Sequence, residues 1–248
     1  MSRLLFIVFS LLASGSLSGQ LPAKEIVRKA EEKVRGTTAS ASFIVRIVRP
    51  SWQREMEMRS WSKGNQFAMI YVDGPARDKG TVFLKRKKEV WNWLPTIERT
   101  VKLPPSMMSQ SWMGTDFTND DLVKEFSIVE DYDQVLTGEE KIGDRLCYVI
   151  KMTPLPQAAV VWGSIRLWID KQEFMQLKGE FYDETGTLVN RMTASEIKIL
   201  GGKLLPSVIE MIPVDKPGNK TVMLYKQIAF DMPIDDSFFS TDNMKKLK

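Results

Sequence analysis

The chain has 248 residues, a formal net charge of +4 and 43% hydrophobic residues, enough for one large domain or two small ones with a real core. Its lysines and arginines are interleaved with acids, so the surface is well solvated and shows no basic stripe of the kind nucleic acid demands. It has no histidine, which excludes Ser-His-Asp and Cys-His catalysis and the common zinc sites.

Residues 1–19 read as a signal peptide. Arg3 is the charged end, Leu4 to Ala13 the apolar core, and Ser14 to Gly19 a small-residue cleavage region. The apolar core is short for a membrane span. Cleavage near residues 18–20 leaves residues 20–248 as a single exported domain.

Pro22 to Arg35 follows as an amphipathic helix. Ile26, Val27, Ala30 and Val34 share one face, and Gly36 ends it. A meander of strands comes next, over Ala41 to Val48, Gln53 to Trp61, Gln66 to Val72, Thr81 to Lys88, Glu89 to Leu94 and Ile97 to Leu103. The run Gln66 to Val72 is apolar on both faces, so the sheet needs cover on both sides. Pro104-Pro105 stops regular pairing. The loop beyond it is unusual, with Met107, Met108, Trp112, Met113 and Phe117 among small polar residues. Such a loop either folds back onto a core or presents an adaptable apolar surface. Thr118 or Asn119 caps a short helix from Asn119 to Glu125, with Asp120 and Asp121 at the positive end of its dipole.

Strands then resume at Ser127 to Leu136, Leu146 to Met152, Ser164 to Ile169, Phe174 to Tyr182, Leu188 to Leu200, Leu205 to Pro213 and Thr221 to Phe230. Tight turns join most of them. Pro154 to Gly163 is a longer connection that carries Val160, Val161 and Trp162. The tail around Ile234 to Phe239 reads as a helical turn on the sheet. Cys147 is the only cysteine, so no disulfide forms within the chain, and its strand-like setting reads as a small buried hydrophobe. Two-carboxylate hydrolysis stays formally open, but the acidic clusters Asp120-Asp121, Glu130-Asp131-Asp133, Glu139-Glu140 and Asp235-Asp236 sit at turns or helix starts, where carboxylates cap and solvate.

One continuous antiparallel sheet accounts for this pattern, and a twisted sheet of so many strands curls. The segment W-N-W-L-P from Trp91, the K-L-P-P-S-M-M run and S-W-M-G-T-D-F-T-N-D-D-L from Ser111 resemble the signature of the outer-membrane lipoprotein-sorting proteins, the LolA-like superfamily. The match is to its larger branch rather than to the compact carrier. The resemblance implies a mainly β, α+β fold: a strongly curved half-barrel sheet with a few helices covering its concave face. The two helices and the tail are expected there as a lid, over a cavity open near Trp112.

The resemblance also implies a job. The first reading is a non-enzymatic periplasmic carrier that binds lipoprotein acyl chains, or another lipid, in a hydrophobic cavity. The second is an interaction module that docks on an inner-membrane transporter or permease. A hydrolase finds no nucleophile motif to support it. The candidate lining residues are Met56, Met58, Met69, Trp91, Trp93, Met107, Met108, Trp112, Met113, Phe117 and Trp162. For those on strands, ordinary core packing competes with ligand lining. Arg99 and Lys102 are candidate headgroup contacts, against the plain reading of solvated strand charges. No cofactor, metal or nucleic acid is expected, and the protein is expected to be a monomer.

Overall fold

The computed structural model describes residues 21–124 and 128–247. The expected signal peptide lies outside them, as do Glu125, the expected end of the second helix, and Ser127, the expected start of the seventh strand. The chain opens with α1 (Ala23–Arg35). Then come β1 (Thr38–Arg49), β2 (Trp52–Lys63) and β3 (Phe67–Gly74). β4 (Val82–Arg86), β5 (Glu89–Leu94) and β6 (Arg99–Lys102) complete the first meander. Two short helices follow, α2 (Asn119–Lys124) and α3 (Ile128–Asp131). The second meander runs through β7 (Tyr132–Ile142), β8 (Arg145–Pro154), β9 (Ser164–Asp170) and β10 (Gln176–Tyr182). It continues through β11 (Leu188–Leu200), β12 (Lys203–Pro213) and β13 (Lys220–Phe230). The chain ends in α4 (Thr241–Met244).

All these strands form one 13-stranded antiparallel sheet in the order β6-β5-β4-β3-β2-β1-β13-β12-β11-β10-β9-β8-β7. It is curved and not closed. Each meander is built from neighbours in sequence, and one long-range pairing, β1 with β13, joins the two. The edges are blunted in different ways. β6 is short and carries Arg99 and Lys102, while β7 is charged and bulges between Leu136 and Gly138.

Two expected strands are placed differently. Pro95–Ile97 forms a 3-10 turn, so β6 begins only at Arg99. Ile128–Asp131 is helical and buries Val129 in the cluster beneath α1; β7 therefore starts at Tyr132 and runs on to Ile142.

The concave face carries the larger core. Ile26, Val27 and Ala30 of α1 pack on Ile150, Met152, Ile165, Leu167 and Ile169. Phe43, Val45 and Ile47 of β1 face the same way as Met56 and Met58 of β2 and Val72 of β3. Gly36 at φ +60 ends α1, with its N–H on the Glu32 carbonyl.

The tail is not with the helices. Phe239 and Met244 lie on the opposite face, against Met69, Tyr71, Val82 and Leu84. The reason is in β3. Its residues alternate between the two faces, so Met69 and Tyr71 point away from α1 and need their own cover. A smaller cluster on that outer face holds Cys147, Val149 and Trp168. Burial raises the Cys147 thiol to about 11, so it acts as a hydrophobe and not as a thiolate.

Candidate functional site: a cavity beneath the first helix

A cavity of about 180 Å³ lies between α1 and the concave face. Val27, Ala30, Glu31 and Val34 form its roof. Ile165, Leu167 and Ile169 of β9, Met192 of β11, Ile209 and Met211 of β12 and Met223 of β13 form its floor. Phe117, Asp121, Tyr132, Trp162 and Phe181 close one end. Val34 is 45% exposed, so the cavity reaches solvent beside the last turn of α1.

Most buried polar groups of the wall have partners; the exception among the described residues is the Glu31 Oε1 atom, which accepts no hydrogen bond. The Trp162 indole Nε1 donates to Asp121 at 2.8 Å. Thr118 and Asp121 cap the start of α2 reciprocally: the Thr118 N–H donates to the carboxylate at 2.7 Å, and the Asp121 N–H donates to the Thr118 hydroxyl at 3.0 Å. Desolvation by the surrounding wall raises the Asp121 carboxyl above the usual range, against these hydrogen bonds. Tyr132 donates to the Trp162 carbonyl at 3.4 Å. Glu31 pairs with Arg35 at 3.5 Å. The wall is therefore mainly hydrocarbon, with Glu31 Oε1 as a buried acceptor that no hydrogen bond satisfies.

The Met-Trp loop folds onto the core. Ser111 bridges to Thr118, and Met113 and Gly114 turn the chain at positive φ. Asp116 holds the loop down: it accepts from Arg49 at 3.0 Å and from the Thr221 hydroxyl at 2.7 Å. Its backbone carbonyl accepts from Asn190 at 3.2 Å. Trp112 is thereby driven to 1% exposure, edge-on to Phe83 at 5.5 Å.

The structure sorts the candidate residues into three groups. Phe117 and Trp162 line the cavity. Met56, Met58, Trp112 and Met113 pack in the adjoining core cluster, which shares Phe117, Met192, Met211 and Met223 with the cavity wall. Met107 and Met108 are half-buried on the strap that leads to this loop. Met69, Trp91 and Trp93 lie on the outer face beneath the tail, away from the cavity. Arg99 and Lys102 sit on the exposed edge strand; Lys102 pairs with Glu89 and lies over the Trp91 ring. The expected opening near Trp112 is corrected: that side chain is sealed in the core, and the opening is at Val34.

Sequence reasoning missed the floor and the roof. The roof is the apolar stripe of α1, already visible as amphipathicity. The floor is drawn from residues of β9, β11, β12 and β13, each unremarkable in its own strand. Among the described residues, no group of three His, Cys, Asp or Glu side chains is placed to hold a metal. No described helix is long and apolar enough to cross a membrane.

This architecture, an open curved antiparallel sheet with helices over its concave face, is the fold of the LolA superfamily. A DUF1329 family protein from Desulfovibrio piger superposes with a TM-score of 0.82 at 20% identity, covering 90% of this chain and 97% of that one. A putative outer membrane lipoprotein-sorting protein domain from Vibrio parahaemolyticus gives 0.81 at 21% identity, over 90% and 98%. A LolA superfamily protein from Nitrosomonas europaea gives 0.78 at 23% identity, over 90% and 100%. A family model described as an uncharacterized protein matches residues 64–246, and the chain belongs to that family. No curated protein matches it.

Proposed function

We propose that this protein is a non-enzymatic carrier, exported to the periplasm, that shelters the acyl chains of a lipoprotein or another lipid beneath α1. The observation that carries this reading is the cavity itself: mainly apolar on roof and floor, and reaching solvent at Val34. Burying a chain there gains about 0.8 kcal/mol per methylene. The lipoprotein-sorting description of the Vibrio relative supports the same reading by fold. Phe117 and Trp162 are the proposed contacts from the candidate set, with Met56, Met58, Trp112 and Met113 as the packed wall behind them.

Size sets a condition on this function. A cavity of about 180 Å³ is below the roughly 300–1,000 Å³ of typical small-molecule sites. Within this volume one segment of a single chain fits, and several chains side by side require α1 to move. Native mass spectrometry of protein purified from the periplasm, followed by organic extraction, tests the reading. Retained lipid or acylated peptide is the expected result. A clean apo mass with no uptake of added lipid rejects it, and co-purification of a permease in its place favours the docking module.

A further inference from the structure

The carrier reading leaves the cargo open, and the mouth of the cavity narrows it. Resting on that reading, we propose that the cavity takes one alkyl chain bearing an anionic head, carboxylate or phosphate, with the chain inside and the head at Lys203.

The first argument is volume. About 180 Å³ is slightly more than the roughly 150 Å³ apolar cavity that holds one benzene ring. It admits one segment of a single chain. With α1 seated as it is, it does not admit several chains side by side. Widening is resisted, because Ile26, Val27 and Ala30 of α1 sit directly on the sheet at 8% exposure or less. Lengthening is not resisted, because the open end at Val34 leads straight to solvent.

The second argument is charge at that open end. Three acids stand at this end of α1: Glu31 pairs with Arg35 at 3.5 Å, Glu173 pairs with Lys33, and Asp231 accepts from the Thr37 backbone N–H at 3.2 Å. Lys203 stands beside them on β12. Its Nζ donates to the backbone carbonyl of Lys33, one residue before Val34, at 3.2 Å. It also lies 3.9 Å over the Phe230 ring. Among the described residues its partners are that carbonyl and that ring, so no ion pair neutralises its charge. A chain threading out past Val34 delivers its head to this cation. A charged head also stays in solvent, where its hydration is kept, while the apolar tail is buried.

Titration calorimetry on the whole protein with four probes tests this: dodecanoate, dodecyl phosphate, dodecanol and a synthetic triacylated lipopeptide. The expected result is one-to-one binding of an anionic probe, tighter than dodecanol, with the tighter of the two anions identifying the head. Lys203→Gln keeps a donor for the Lys33 carbonyl and removes the charge. It weakens the anion about fivefold and leaves dodecanol unchanged. Equal affinity for dodecanol and the anions, or no effect of Lys203→Gln, overturns the anionic head. Binding of the triacylated lipopeptide as tightly as dodecanoate overturns the single chain and leaves the carrier reading standing. If none of the four binds, both fail together.

Discussion

Trp112 is the largest fully buried side chain among the described residues, and its indole nitrogen has no hydrogen-bond partner among them. Its worth is therefore in its ring. Trp112→Phe keeps most of the packing and loses no hydrogen bond, so it costs less than about 1.5 kcal/mol. Trp112→Ala empties the site beside Phe83 and costs about 3–5 kcal/mol. Urea denaturation of the two variants measures both. Lys85 is a residue of another kind. It is an amine on β4 at 5% exposure, held down to about 8, first by burial and then by Arg35, with Glu31, Asp131 and Asp120 pulling the other way. Between about 8 and the ordinary 10.5, the folded chain binds fewer protons than the unfolded one. Stability therefore rises as the pH climbs through that window, and the gain is lost as the pH falls through about 8. Thermal unfolding from pH 7 to 10 is expected to show Tm rising more steeply in the wild type than in Lys85→Met.

At the scale of elements, α1 and the long loops decide whether the cavity exists. α1 is fastened at its end by the Lys33–Glu173 pair and by Lys203 on the Lys33 carbonyl, and elsewhere by its apolar stripe. The connection from Pro154 to Gly163 ends against the turn between β10 and β11. A Cβ on Gly163 would stand 2.3 Å from the Asp183 carbonyl oxygen, backbone that cannot step aside cheaply. That close approach sets Trp162 against Phe181, at 5.3 Å between ring centroids, and against Asp121. Gly163→Ala is expected to cost about 2 kcal/mol or more and to loosen the Trp162 end of the cavity. The readouts are the urea midpoint and the near-ultraviolet circular dichroism of the tryptophans.

At the scale of the molecule, the sheet has two apolar faces with different jobs. The concave face holds the cavity. The outer face is covered in part by the tail, where Phe239 stacks on Phe67 at 5.4 Å and is fully buried. The two faces meet only through the strands. Phe239→Ala is thus expected to cost about 3–5 kcal/mol of stability while leaving ligand affinity unchanged. Calorimetry and denaturation of the same variant separate the two effects; a matching loss of affinity would show that the faces are coupled.

Much of this was legible along the chain. Alternation in each strand gave the succession of thirteen strands, and the stripe on α1 showed that it packs on something. Doubly apolar β3 announced that both faces need cover, and Thr118 announced a helix start. Each is a local signal, carried by periodicity or by a side chain that bonds its own neighbourhood. Tertiary structure alone decided the rest. Which face received the tail depended on the side to which Met69 and Tyr71 were turned. The fate of the Met-Trp loop hung on Asp116 finding Arg49 and Thr221, the latter 105 residues away in sequence. The floor of the cavity is assembled from four strands, and no local pattern records which residues of four separate strands will end beneath one helix.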